Sequence, residues 1–252
     1  SGVTASYIGE NQNIAKSEMQ TGQLTMTFKK LAALVPISNA LLRYSAPGAD
    51  AIVRNDIVRA MAQRENQAFI RDDGTGGTPK GLRHWAPAAS VVGANATVNL
   101  ANVTVDLGKL ILKLMENNVP ITKGGFGFAP RTYHYLMTVQ NTNGFFPFRD
   151  EMLRGVLWGY PYGVTTQIPV NLTDGGGTNE TEVYFADFDD VVIGEAQNLI
   201  VDASAEAAYH DGSNVVAAYS QDQTVIRCIA EHDFAVRRDV SVAVLNKVTW
   251  GA

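Results

Sequence analysis

The sequence predicts a mixed α+β fold with a projecting N-terminal ribbon. Three observations predict it. A single amphipathic stretch fills residues 49–71, strand-like runs fill most of the last third, and a polar start is bounded by two strand-like segments. No internal repeat and no Pro- or Ser-rich linker divides the 252 residues. That length suffices for one large domain or two modest ones, each with its own core.

The ribbon comes first. Residues 3–9 (VTASYIG) and 24–30 (LTMTFKK) both read as strands. In the second, Leu24, Met26 and Phe28 alternate with Thr25, Thr27 and Lys29, the period-two pattern of a strand with one apolar face. The intervening ENQNIAKSEMQTG has little to bury, so the pair predicts a long hairpin with a solvated or partner-facing tip. A two-stranded ribbon is marginal in water on its own. It must lie on its own body or on a neighbouring subunit.

The long helix follows, from Ala49 to Arg71. Val53, Ile57, Met61 and Ala68 fall on one stripe, flanked by Ile52 and Phe69, with Arg54, Asn55, Arg59, Gln63 and Glu65 over most of the rest. Asp50 in the first turn suits the helix dipole. At 1.5 Å per residue such a helix runs about 35 Å, long enough to span a domain of this size. DDGTGGTPKG, residues 72–81, stops it.

A second helix is predicted over Val103–Asn117, where Leu107, Leu110, Ile111, Leu114 and Met115 follow i, i+3, i+4, i+7, i+8 spacing and Pro120 closes the segment. FGFA (126–129) reads as a buried strand. Pro130 opens a third helix, RTYHYLMTV, at a first-turn position. Strands are predicted at 162–169 and 183–188, separated by the loop NLTDGGGTNE. Further strands follow at VVIG, LIVDA and VVAAY, then a long run over Thr224–Arg238 and a short one, VSVAVL, at 240–245. In the long run Ile226, Cys228, Ala230, Phe234 and Val236 share one side, opposite Arg227, Glu231, Asp233 and Arg237.

Composition narrows the class. With 46% hydrophobic and 18% charged residues the chain is neither disordered nor fibrous. A net charge of −5 lacks the basic excess of a dedicated nucleic-acid binder. The single cysteine, Cys228, allows no intrachain disulfide, so packing and partner chains must supply the stability. No apolar run approaches a membrane span and no signal peptide heads the chain, so the sequons at Asn95, Asn102, Asn171 and Asn179 carry little weight. The expectation is a soluble protein of intracellular origin, without membrane contact.

Candidate chemistry is sparse. GTGGTPKG (74–81) invites comparison with a phosphate-binding loop, but Lys80 is followed by Gly81 and the stretch ends a helix instead of opening one. A helix stop is the better reading, and GGGT at 175–178 reads as a turn between strands. His84, His134, His210 and His232 show no metal spacing among themselves or with Cys228. Cys228 lies on an apolar strand face and reads as a structural thiol. Asp187, Asp189 and Asp190 cluster where a hydrolase places acid–base or metal-binding carboxylates. Acids are equally common in the turn between two strands. No G-x-S-x-G elbow supports serine catalysis.

Six ordered segments then carry a resemblance: KKLAALVPISNALL (29–42), ENQAFIRDDGTGGTPKGL (65–82), FGFAPRTYHYL (126–136), LRGVLWGYPYGVTTQIP (153–169), FADFDDVVIGEAQNLIVDAS (185–204) and QDQTVIRCIAEHDFAVRRDVSVAVL (221–245). Together they resemble the major capsid proteins of tailed bacteriophages, with the Hong Kong 97-type fold. The resemblance implies an extended N-terminal β-hairpin loop, a long spine helix, a peripheral domain and an axial domain. The expected division is an extended loop over 1–43, peripheral domain over 44–98 and 188–238, and axial domain over 99–187 and 239–252.

The resemblance further implies a non-catalytic protein without cofactors. It self-assembles as pentamers and hexamers into an icosahedral shell around double-stranded DNA, contacted non-specifically. Portal, scaffolding or protease, and decoration proteins are the implied partners. The place implied is the virion, assembled in the host bacterial cytoplasm. Leu24, Met26 and Phe28 are expected to lie across an adjacent subunit, with Lys16 as an exposed interface lysine; Arg54, Arg59 and Arg64 are candidates for the interior face. Some members cross-link a loop lysine to a strand asparagine with a glutamate assisting. Lys16 and Glu231 occupy fitting positions, but Thr224 stands at the asparagine, so no cross-link is expected. Members also carry an N-terminal arm; its absence from this sequence and its removal in the mature protein are both open. Two alternatives stand beside this reading, an encapsulin-type nanocompartment shell protein and a soluble α+β hydrolase using Asp187, Asp189 and Asp190.

Overall fold

A computed structural model describes Tyr7, Glu10, Asn13, residues 22–44 and residues 49–252. The strand expected at 3–9, the hairpin tip and Lys16 lie outside the described residues. Residues 22–28 have no regular secondary structure, and the strand expected at 24–30 instead begins at Lys29. The reason is local. The Thr27 amide is taken by the Asp233 carboxylate at 2.8 Å, so it makes no ladder bond.

The elements in chain order are β1 (Lys29–Ser38), α1 (Asn39–Tyr44), α2 (Ala49–Arg71), α3 (Leu82–Trp85), β2 (Val91–Gly93), α4 (Leu100–Glu116), β3 (Gly124–Phe128), α5 (Pro130–Thr138), α6 (Arg149–Leu153), β4 (Val156–Leu157), β5 (Tyr160–Val164), β6 (Thr181–Asp187), β7 (Val191–Ser204), β8 (Ala208–His210), β9 (Val215–Ala217), β10 (Gln223–Val236) and β11 (Val242–Val248). Two sheets organise them. One has the order β1-β10-β7, all antiparallel; the other runs β2-β11-β6-β3-β5-β4. A small hairpin, β8-β9, stands apart.

The long helix occupies the predicted residues, and its apolar stripe explains its seat. Ile57, Met61 and Ala68 are buried, and Ile57 and Met61 pack with Ile37, Ile226 and Cys228 on one face of the three-stranded sheet. Alternation puts Ala33 opposite Cys228 and Val35 opposite Ile226 on that same face. VVIG and LIVDA, which read as two strands, form the single strand β7. The polar EAQN between them is a bulge: three residues of β10, Ile229, Glu231 and His232, face Ile200, Gln197 and Glu195 with register shifts. An extra residue in one strand leaves pairing continuous while changing which side chains face in.

In the second sheet, all seven residues of β6 are buried, because both faces are covered. Leu107, Leu110 and Leu114 of α4 and Leu136 of α5 join Phe126, Phe128, Val183 and Phe185 on one side. Tyr184, Ala186, Val242 and Val244 meet Phe234, Val236 and Ile168 on the other. Asn99 caps α4 by accepting from the Asn102 amide at 2.8 Å. Met115, expected on the buried stripe of α4, points outward instead. β2 pairs in parallel with β11, so it sits in the six-stranded sheet and does not travel with α2.

Two further differences concern strand ends. The strand expected over 162–169 stops at Val164, because the Thr165 hydroxyl accepts from the Gln167 amide and turns the chain. VVAAY continues from β9 into a 3₁₀ turn over Ala218–Gln221. The Gly-rich stretch does close α2. The Gly81 amide donates to Asp72 O at 2.8 Å, and a Cβ on Gly81 would stand 2.6 Å from Ala68 O. Only glycine lets that turn fold so closely onto the helix end.

Candidate functional site

The carboxylate cluster is committed to structural partners. Asp187 is buried and accepts from the Lys123 amide at 2.8 Å. Asp190, also buried, receives Arg238 Nη2 at 2.6 Å, Arg238 Nε at 2.8 Å, and the Ser241 hydroxyl. Asp189 is exposed and paired with Lys123 Nζ at 3.0 Å; the hydrogen bond and charge of that lysine hold its carboxyl below the usual range. Each carboxylate therefore stabilises a different backbone or basic group, and the strand–turn–strand reading accounts for all three.

The other singled-out residues are likewise placed. His232 is buried edge-on to Phe69, ring centroids 5.1 Å apart, with Nδ1 3.8 Å from Glu65 Oε1. His210 Nδ1 accepts from the Gly212 amide in the β8-β9 turn, while His84 and His134 are exposed on their helices. Among the described residues no three His, Cys, Asp or Glu side chains form a metal-binding group. Thr224 donates to Asn39 Oδ1 at 2.6 Å, tying the end of β1 to the start of β10. Glu231 pairs with Lys30 at 3.4 Å.

Cys228 is buried under α2, and desolvation, with the Asp202 charge second, pushes its thiol up. The thiolate is the nucleophile, so native protein is expected to react with an aromatic disulfide reagent at least tenfold more slowly than denatured protein. Equal rates, read from release of the coloured thiol, would refute the buried placement.

The surfaces carry more information than any cleft. Leu24 is 37% and Phe28 67% exposed, while Met26 is half-buried, its Cε methyl 3.0 Å from where a Cβ on Gly194 would stand. The segment thus lies over β7 through Met26 and leaves Phe28 uncovered. The sheet face away from α2 carries a row of Ala32, Ile229 and Ile200 across all three strands, with Leu34 beside it. Leu199, Ile200 and Val201 are exposed in succession on the β7 edge. Such an apolar edge invites pairing with another chain unless something covers it. A further patch, Val105, Leu112 and Met115, runs down the outer face of α4. Its signal was present in the sequence: apolar residues on two faces of one helix exceed what a single core needs. Of the proposed interior arginines, Arg54 and Arg59 are exposed on α2, and Arg64 Nη2 pairs with Asp72 at 2.6 Å.

One cluster had no signature in the sequence. Glu182 of β6 is fully buried and accepts Arg83 Nε at 2.8 Å, Arg71 Nε at 3.1 Å and the Tyr184 hydroxyl at 2.6 Å. It clamps the end of α2 and the short α3 to the central sheet. Burial, with the nearby Glu182 charge second, raises the Tyr184 phenol well above its usual range, so it remains the donor.

The fold and surfaces have close parallels. The model of the phage capsid family matches residues 1–247. The chain is 43% identical over 240 residues to a major capsid protein of Klebsiella oxytoca phage phiKO2, covering 94% of this chain and 55% of that protein. It is 25% identical to a capsid polyprotein of Pseudomonas phage PAJU2, covering all of this chain and 38% of that one. The chain therefore spans about half or less of the length of these relatives. Among solved structures, the capsid of a native GTA particle superposes with a TM-score of 0.74 at 17% identity, over 99% of this chain and 82% of the other. The spine helix, the long antiparallel strands and the mixed central sheet are those of the Hong Kong 97-type capsid fold, and the chain belongs to the phage capsid family.

Proposed function

We propose that this chain is the shell-building part of a phage major capsid protein, acting by geometry and without catalysis. The observation that carries the reading is the 43% identity to a major capsid protein across 94% of the chain. The exposed apolar row on the β1-β10-β7 sheet, the β7 edge and the outer face of α4 support it, since many-copy contacts would bury all three. Copies arrange as pentamers and hexamers in an icosahedral shell around double-stranded DNA, held by non-specific contacts. Assembly takes place in the host cytoplasm, with portal, scaffolding or protease, and decoration proteins as partners. Residues 1–43 act as the extended loop, 44–98 and 188–238 as the peripheral domain, and 99–187 and 239–252 as the axial domain. Leu24, Phe28 and Lys16 of that loop lie on an adjacent subunit. Each contact gains roughly 25 cal/mol per Å² of apolar area buried.

The test is assembly of the purified protein, read by sedimentation and negative-stain microscopy. Closed particles are expected, and deletion of residues 10–22 should lower their yield at least tenfold. Small oligomers alone under all assembly conditions would overturn the shell reading. Normal particles from the deletion variant would overturn the clasp role of the loop. Cargo protein in place of DNA inside native particles would favour the nanocompartment reading.

A further inference from the structure

A polar cavity of about 240 Å³ lies between β1, the C-terminal half of α2 and the Gly-rich turn. Its charged lining is Lys29, Lys30, Arg64, Glu65 and Asp72, with His232 beside them. Most of these groups are matched inside the chain. Arg64 Nη2 is 2.6 Å from Asp72 Oδ2, Lys30 Nζ is 3.4 Å from Glu231 Oε1, and His232 Nδ1 is 3.8 Å from Glu65 Oε1. Lys29 is different. It is half-buried, it stands opposite His232 in the strand register, and it has no anionic partner among the described residues. A partly desolvated ammonium without a counter-charge is costly. The cavity beside it has room for a side chain, and its remaining charge is positive.

We infer that this cavity is a socket for a carboxylate side chain of a second copy of the chain, which pairs with Lys29 when subunits assemble. Charge complementarity selects a second copy. At a net charge of −5 each copy presents more carboxylates than ammonium and guanidinium groups, and the socket opens beside exposed apolar segments, Phe28 among them. The pair would be shielded from water by Pro79 and Ala68, both buried in the cavity wall, and so would resist screening better than a rim contact. The inference rests on the shell reading and adds a specific contact to it. Because Lys29 has no partner within the chain, its removal should leave the unassembled subunit intact.

The experiment uses the full chain as wild type, Lys29→Gln, Lys29→Glu and Lys29→Arg. Wild-type particles are coupled with a zero-length carbodiimide, using an equal mixture of isotopically light and heavy subunits, and digested for mass spectrometry. The expected result is a peptide joining Lys29 to an Asp or Glu of the other isotope. Lys29→Gln should lower particle yield at least fivefold and Lys29→Glu more, with Lys29→Arg near wild type. The thermal midpoint of unassembled protein should not change. If wild type forms no particles, the shell reading fails and this inference falls with it. If wild type assembles but Lys29 couples only within its own chain, or Lys29→Gln assembles as well as wild type, the shell reading survives and the socket is refuted.

Discussion

Glu182→Gln is expected to destabilise the unassembled protein by about 2–4 kcal/mol, as a lower urea midpoint at unchanged slope. The substitution keeps the size of the side chain and removes only its charge. Arg71 and Arg83, which now share that carboxylate at 3.1 and 2.8 Å, would face a neutral amide that can accept less and also donates towards them. Breaking a buried ion pair by removing one member typically costs about 3–5 kcal/mol. The lower range applies because Arg71 and Arg83 are 31% and 22% exposed and recover part of their hydration. Tyr184→Phe, which deletes only the 2.6 Å hydroxyl bond to Glu182, should cost about 1 kcal/mol. A loss below about 1 kcal/mol for Glu182→Gln would show that water or another acceptor takes over the guanidinium groups, and that the clamp does not hold α2 to the sheet.

Phe185→Ala is expected to be costlier, by about 3–5 kcal/mol. Phe185 is fully buried in β6, its ring 4.6 Å from Phe126 and 5.2 Å from Tyr160, between the central sheet and α4. Removing it loses the transfer free energy of the ring and leaves a cavity. β6 cannot collapse into that space, because it is hydrogen-bonded to β3 on one side and β11 on the other. The same denaturation series measures it. A loss under about 1.5 kcal/mol would mean that the surrounding side chains close the void, and that this layer is not the rigid centre of the domain.

These two residues differ in how far the sequence announced them. The VYFADF run was legible as a buried strand, and Leu107, Leu110 and Leu114 as the helix face that would cover it, because hydrophobic period is a local property. The end of α2 was legible for the same reason, since glycine and proline act through their own backbones. Glu182 gave no such signal. Its partners Arg71 and Arg83 lie 111 and 99 residues away, and an acidic residue before an apolar run looks like an exposed strand end. The bulge in β7 was misread as a break for a related reason. A polar EAQN interrupts the pattern whether the chain turns or merely gains a residue, and only the pairing with β10 distinguishes the two.

What the sequence determined by itself is the set of elements and their order: a long amphipathic helix closed by a Gly-rich turn, a helix–strand–helix core segment, and long terminal strands without a catalytic signature. Its six ordered segments also identified the family. Tertiary structure alone decided which apolar residues remain uncovered, since Met115 and Ile200 look like core residues in the chain and lie on its surface once folded. It also decided which charges are matched, clamping Glu182 between two arginines and leaving Lys29 without an anion among the described residues. The physical reason is range. Period, propensity and turn chemistry act over a few residues, whereas burial and ion pairing depend on chain segments brought together from a hundred residues apart.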